Sequence, residues 1–388
     1  MTQASHLSRR RFILSTAIVA SGIGGGCSFQ FTFPGKALLD KTIPEVNAWV
    51  VIKLDDTVVI RIARTEMGQG TLTGLAQLVA EELECDWRKV TTEYPTPAQN
   101  LARQNVWKDM STGGSRGIRQ SHDYVRQGGA AAREMLISAA AQQWGVPAAE
   151  CTAANSLITH RKSGKVLSYG QVAEAAAKIP PPKEIKLKDP KDWKIAGKPL
   201  ARLDTRDKIN GKKIYAADLK LPGMLNAAIR ACPVFGGVRQ SMDASAARQM
   251  PGVRHVFEIA DNAVAVVADT WWQAHSALQE VKIVWDNKGN DKISSATIRA
   301  SLQEGLGAYE AHIGNQNGNI AHSLAEAKHT IEATYSYPYQ NHACMEPMNA
   351  TVVWTAERCE AWIPTQNAQA AHAALASAAG LKQDQCDV

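Results

Sequence analysis

The sequence predicts a multidomain α+β fold of mixed sheets with helices. Strand-like segments end in glycine turns that open amphipathic helices, as over 57–83. Pro180-Pro-Pro182 and a Lys/Asp-rich run to Lys198 separate two such regions. Beyond them a buried-type apolar strand, Ala263–Ala268, is followed at once by a helical stretch and another strand. At 388 residues the chain holds two or three domains, and with 45% hydrophobic and 21% charged residues its composition is that of a folded globular protein. A net charge of +6 without a basic-aromatic stripe argues against a nucleic-acid partner.

Taken in order, Ala48–Asp55 alternates as a strand, Asp55-Asp56 turns, and Thr57–Ala63 returns. This hairpin delivers Arg64-Thr-Glu-Met-Gly-Gln-Gly70. A helix follows, with Leu72, Leu75, Leu78, Val79 and Leu83 on one face. Gly68 and Gly70 permit a close backbone approach, and a helix N-terminus favours an anion. The turn therefore suggests a grip on an anionic or polar cofactor; the alternative is a plain strand-to-helix turn with an incidental Gln69. Val90–Tyr94 is a further strand. Ser111-Thr-Gly-Gly-Ser115 then runs into a helix from about Arg119 to Trp144, a second loop of anion-binding character or else a flexible, serine-capped connection.

Gly145-Val-Pro147 closes that helix. Asn155–Val166 reads as a hairpin, and Ser168 caps a helix to Ile179. The next region offers strands at Gly211–Asp218, Met224–Arg230 and Val281–Trp285 around a Trp271–Glu280 helix. A polar connector with one helix near Ala296–Leu306 leads to a strand at Thr330–Tyr337. Ala350–Thr355 and Cys359–Ile363 pair, Gln366 sits in the following turn, and Ala368–Gly380 is a helix. His342 and Glu346 are four apart, but Pro347 and the flanking β-formers favour structural hydrogen bonding over zinc. Among seven cysteines there is no C-x-x-C pair, so no iron–sulfur cluster or zinc ribbon is encoded, and most read as small buried hydrophobes.

Thr65-Glu-Met-Gly-Gln-Gly70, Ser111-Thr-Gly-Gly-Ser115, Tyr215-Ala-Ala-Asp218, His342-Ala-Cys-Met-Glu-Pro347 and Pro364-Thr-Gln-Asn367 occur in an order that resembles the molybdenum-binding large subunit of the xanthine oxidase / aldehyde oxidase family. Within it the order of parts is most similar to the isoquinoline 1-oxidoreductase β-subunit type. The resemblance covers 40–388. It implies that Met67, Gly68, Gln69 and Gly70 hold a molybdopterin cytosine dinucleotide, with Thr112, Gly113, Gly114 and Ser115 against its phosphates. It places Gln366 beside molybdenum without ligating it. It implies a molybdopterin-binding part over 40–180, a linker at 181–204, an α/β hammerhead-like domain at 205–290, a connector at 291–328 and the start of another molybdopterin-binding domain at 329–388.

The implied function is an oxidoreductase that hydroxylates an N-heteroaromatic ring or an aldehyde with water as oxygen donor. Electrons would pass to a small [2Fe–2S] subunit, with a cytochrome c subunit as a further candidate. The family's Gly-Gly-Gly-Phe-Gly segment and general-base glutamate have no match before Val388, so no catalytic residue is assignable. The expectation is a truncated or split subunit, and the alternative is a non-catalytic scaffold or cofactor-binding remnant. Ser8-Arg-Arg-Arg-Phe12 and the apolar stretch to about Gly26 form a twin-arginine signal within 1–35, which predicts a periplasmic protein, with membrane association as the variant.

Overall fold

Val58–Arg61 is a run of four buried residues, and such a run suits a strand covered on both faces. In the computed structural model, which describes residues 44–310 and 312–388, this strand is central to a four-stranded sheet. It pairs antiparallel with Val50–Ile52, Val50 opposite Ile60, and parallel with Val90–Glu93, Val58 opposite Val90. Glu45–Asn47 adds an edge strand. The parallel pair needs a crossover, and helix Thr71–Leu83 supplies it. The expected twin-arginine segment, with Cys27, lies outside the described residues.

The described chain divides into two units. One comprises the residues up to Leu219 together with Glu346–Val388, the other Lys220–Met345. The chain is thus a multidomain α+β protein, as its sequence predicts.

In the first unit, helices Thr71–Leu83 and His122–Trp144 bury their apolar faces in one core with the sheet. Two adjacent glycines set how close they come. A Cβ on Gly129 would lie 2.4 Å from the Val79 carbonyl oxygen, and one on Gly128 would lie 2.6 Å from the Trp49 ring. Strands Cys151–Ala154, Leu157–His160 and Val166–Ser168 form a small meander before helix Tyr169–Ala176. Pro97–Ala102 is a short helix that no apolar spacing announces. Thr96 and Gln99 form its capping box.

The segment 181–204, a linker by composition, is strapped to the first unit. The buried Glu81 carboxylate accepts N–H bonds from Lys194, Ile195 and Ala196 at 2.8, 2.5 and 3.0 Å, and Lys188 pairs with it. Its neighbour Glu82, 0% exposed, pairs with Arg126 at 2.7 Å and accepts from the Lys188 N–H. Isolated buried carboxylates would be costly; these have charged partners and backbone donors. A small sheet follows at the far end of the chain. Thr351–Trp354 pairs with Cys359–Trp362, as predicted, and Cys386–Asp387 adds a parallel edge under helix Ala368–Ala379.

In the second unit, Ala263–Ala268 is fully buried between Asn226–Ala231 and Val253–Ile259, both antiparallel to it. Helix Trp271–Gln279 packs on this sheet, and Lys282–Asp286 pairs with Val238–Asp243. Two sequence expectations need correction. Gly211–Asp218 is not a strand. Asp218 Oδ2 accepts from the Tyr215 N–H at 3.0 Å and closes a single tight turn, a local bond that competes with sheet pairing. Thr330–Tyr337 is not a strand either. Ile331, Tyr335 and Tyr337 alternate onto one face, yet no strand pairs with them among the described residues, and Ile331 is 98% exposed.

Gly129→Ala should lower the melting temperature of the first unit, at an overpacking cost of about 1–3 kcal/mol. Gly305→Ala, in helix Ser295–Leu306 with open space at its Cβ position, should not lower it.

Candidate functional site

The site begins where the central strand ends. Arg64 is 2% exposed, and its guanidinium reaches across to the second loop. Its Nε donates to Ser121 Oγ at 3.0 Å, and its Nη1 donates to Asp109 at 3.1 Å and to the Ser111 carbonyl. The next residue continues the same join. Thr65 N–H donates to Thr112 Oγ1 at 2.9 Å, and Thr65 Oγ1 donates to the Thr365 carbonyl at 3.0 Å.

The 364–367 turn closes the triangle. Thr112 N–H donates to the Gln366 carbonyl at 2.6 Å, and Ser111 and Asn367 form an isolated antiparallel bridge. Gln369 Oε1 accepts from the Met110 N–H at 3.2 Å. Three turns read separately in the sequence, the outer two 300 positions apart, therefore meet at one place. Thr112 is buried; Met67, Gly68, Gln69, Gly114, Ser115 and Gln366 are exposed.

Gly68 and Gly70 have φ of 98° and 88°, angles that side-chain-bearing residues resist. Nothing lies within 4 Å of a Cβ built on Gly68, Gly70 or Gly113, so these backbones border open space. Gly117 and Gly74 instead mark close packing. A Cβ on Gly117 would lie 3.1 Å from the Thr71 side chain, which holds the turn Arg116–Arg119 against the start of helix Thr71–Leu83. Arg116 donates to the Gly113 carbonyl at 3.1 Å, and Arg119 to the Gly114 carbonyl at 3.4 Å.

Two features differ from the sequence reading. The N-terminus of helix Thr71–Leu83, expected to favour a ligand anion, is filled by the chain's own Glu66. That carboxylate accepts from the N–H groups of Gly68, Gly70 and Leu72 at 2.7, 3.0 and 3.0 Å, and Arg202 pairs with it at 3.1 Å. Burial alone pushes the Glu66 carboxyl up. The Gly70, Leu72 and Gly68 N–H groups and the Arg202 charge together outweigh it, so the carboxyl lies below the ordinary value of 4.5. The second difference is at Ser111–Ser115. A four-residue turn separates this loop from the long helix, which starts at His122, and the Ser121 hydroxyl before it is already engaged by Arg64 and Tyr124.

Gln69 folds back on its own turn. Its amide donates to the Thr65 carbonyl at 3.0 Å and accepts from the Met67 N–H at 2.5 Å. The Gln366 backbone is tied to Thr112, while its side chain stands exposed. Glu346 serves a structural bond, accepting from the Ala217 N–H at 3.0 Å and so joining two of the sequence motifs. No group of three or more His, Cys, Asp or Glu residues placed to hold a metal occurs among the described residues. The cysteines at 85, 151, 232, 344, 359 and 386 are free thiols. No described helix is long and apolar enough to cross a membrane.

Residues 5–217 match the molybdopterin cofactor-binding domain, and residues 306–388 match a second family model of the same description. The first match alone covers more than half of the chain. This chain belongs to the molybdopterin cofactor-binding family, as a molybdenum-binding subunit of the xanthine oxidase type. It is 28% identical to the isoquinoline 1-oxidoreductase subunit beta of Brevundimonas diminuta, over 93% of this chain and 52% of that one. It is 29% identical to a protein of Gluconacetobacter polyoxogenes described as a membrane-bound, pyrroloquinoline-quinone aldehyde dehydrogenase, over 90% and 46%. The chain spans about half the length of these curated relatives. Among solved structures, the aldehyde oxidoreductase of Desulfovibrio gigas aligns at 20% identity and a TM-score of 0.39, covering 56% of this chain and 29% of that one.

The Glu66 environment makes the site acid-sensitive. A carboxyl held below its unfolded value binds protons more weakly when folded. The stability it contributes is complete above about pH 4.5 and is lost as pH falls through the lower, folded value. Melting temperature should fall with acid over that window, and Glu66→Gln should flatten the fall; an equally steep fall in the variant would show that other carboxyls carry it.

Proposed function

We propose that the wall formed by Gly68–Gly70, Gly113–Ser115 and Gln366 faces the molybdopterin cofactor of an exported hydroxylase. The convergence of the three turns carries this reading, because a fold of separate turn-capping loops gives no reason for them to meet. The residues suit the group. Glycine backbones border open space, Ser115 offers a hydroxyl, and Arg119, beside an Arg116 that shares its charge with Asp109 at 3.8 Å, brings positive charge to a loop that would meet phosphates. Met67 is 49% exposed on the same turn and offers an apolar surface to a pterin edge. Gln366 offers an amide that can donate or accept beside the metal. The dinucleotide form, molybdopterin cytosine dinucleotide, belongs to this reading.

When bound, the group would supply the redox centre for oxidising an N-heteroaromatic ring or an aldehyde with water as oxygen donor. This chain's residues position it. The Gly68 and Gly70 backbones shape one edge, and the Thr112 hydroxyl fixes the spacing between the first two turns. Electrons would leave through a [2Fe–2S] partner chain, since the seven cysteines hold no C-x-x-C pair; a cytochrome c subunit would be the next carrier. The matches to relatives described as an isoquinoline oxidoreductase subunit and an aldehyde dehydrogenase support this substrate range.

Gln366→Ala removes an exposed amide, so it should leave the melting temperature unchanged and lower the molybdenum and pterin that co-purify with the chain several-fold. Unchanged cofactor content, or none with the unmodified chain from a host that makes the cofactor, would overturn the reading. We propose, too, that the chain reaches the periplasm by the twin-arginine route. Replacing Arg9 and Arg10 with Lys should leave precursor in the cytoplasm, and undiminished periplasmic protein would refute the route.

A further inference from the structure

We propose that Glu66 and Arg202 are a positioning pair that sets the Gly68–Gly70 backbone in its ligand-ready shape before any ligand arrives. This rests on the reading of that turn as cofactor-facing. The pair acts on one short loop from two sides. Glu66 Oε1 accepts from Gly68 N–H at 2.7 Å and Gly70 N–H at 3.0 Å, while Oε2 accepts from Leu72 N–H at 3.0 Å. Arg202 takes the opposite polarity of the same loop. Its Nη1 donates to the Gly68 carbonyl at 2.7 Å and its Nη2 to Glu66 Oε1 at 3.1 Å. Both polar groups of the Gly68 backbone are thus engaged.

Arg202 is itself fixed. Asp204 accepts from its Nε and its Nη2, each at 3.0 Å, and Lys208 Nζ donates to Asp204 at 2.6 Å. The next residue is anchored as well, Leu203 N–H donating to Thr73 Oγ1 at 3.1 Å on the helix that the turn opens. The Glu66 side chain is only 7% exposed, so its bonds are shielded from competing water.

A glycine-rich turn needs such a clamp. Glycine has more conformations to lose on ordering than any other residue, and an unheld loop would lose them on meeting its ligand. With the clamp in place that loss has occurred on folding, and the ligand meets a formed surface. The clamp also explains why a helix N-terminus here carries an internal carboxylate. Its anion shapes the loop and does not contact the ligand.

The test uses the full chain purified with its cofactor, and two variants, Glu66→Gln and the milder Arg202→Gln. Hydrogen exchange over 65–72, cofactor content and melting temperature are read together. Exchange at Gly68, Gly70 and Leu72 should rise about tenfold as their bonds weaken. Cofactor content should fall several-fold, with melting little changed in at least Arg202→Gln. Unchanged exchange in both variants would overturn the clamp and leave the cofactor reading standing. Faster exchange with full cofactor content would overturn the positioning role, and Gln366→Ala then shows independently whether the wall faces the cofactor.

Discussion

The geometry of the candidate site depends on one buried guanidinium. Arg64 lies three residues past the end of the central strand, and burial requires its N–H groups to be satisfied by protein. Ser121, Asp109 and the Ser111 carbonyl do so, and each belongs to the segment leading into or out of the second loop. The loop cannot drift from the strand without leaving a buried charge unpaired, which makes the join stiff. Thr65 then reaches Thr112 and Thr365 from a fixed starting point. The third turn arrives from the far end of the chain and is held by backbone bonds to the same loop. Side-chain chemistry at one residue thus organises three backbones.

Much of the scaffold was legible in the sequence because it is written in local patterns. Helix Thr71–Leu83 follows from its apolar spacing, and Gly145 and Gly380 each close a helix in the left-handed conformation. Strand Ala263–Ala268 follows from a pure apolar run. The strands at Val238–Asp243 and Val253–Ile259 escaped because Arg239, Gln240, Arg254 and Glu258 interrupt the apolar pattern on partly covered sheets. Thr330–Tyr337 misled for the opposite reason. Its alternation states which face would be buried, but pairing is a property of two strands, and one strand's residues cannot show the other.

The site itself was legible as a set of parts, and its assembly was not. Each turn announces itself by glycines and hydroxyls, yet no pattern in 65–70 records that residue 365 will lie beside it. Glu66 sits inside the motif with no role its motif context assigns, and no apolar spacing marks Glu81 and Glu82 as buried. A charged residue on an amphipathic helix is normally exposed, so the sequence signal for Glu81 and Glu82 points the wrong way. What would have flagged Glu66 is its spacing. A carboxylate two, four and six residues before N–H groups of a tight turn and helix start is placed to cap them.

That cap changes how the wall can recognise an anionic ligand. A helix dipole attracts anions through N–H groups without partners, and here Glu66 takes those of Gly70 and Leu72. A four-residue turn separates the N-terminus of the long helix from the second loop. Positive charge at the second loop comes from the Arg116 and Arg119 guanidiniums, which are tied to the Gly113 and Gly114 carbonyls, and Arg116 is partly offset by Asp109 at 3.8 Å. Arg119 is exposed, where salt screens its field. Attraction of that kind is unselective and weak. Selectivity has to come from shape, and the shape-bearing elements are the glycine backbones at 68, 70 and 113, with open space before them and φ values at the first two that a side chain would oppose. In this arrangement the carboxylate and guanidinium of the clamp contribute through the form they impose on the glycines, which no contact of their own with a ligand would supply.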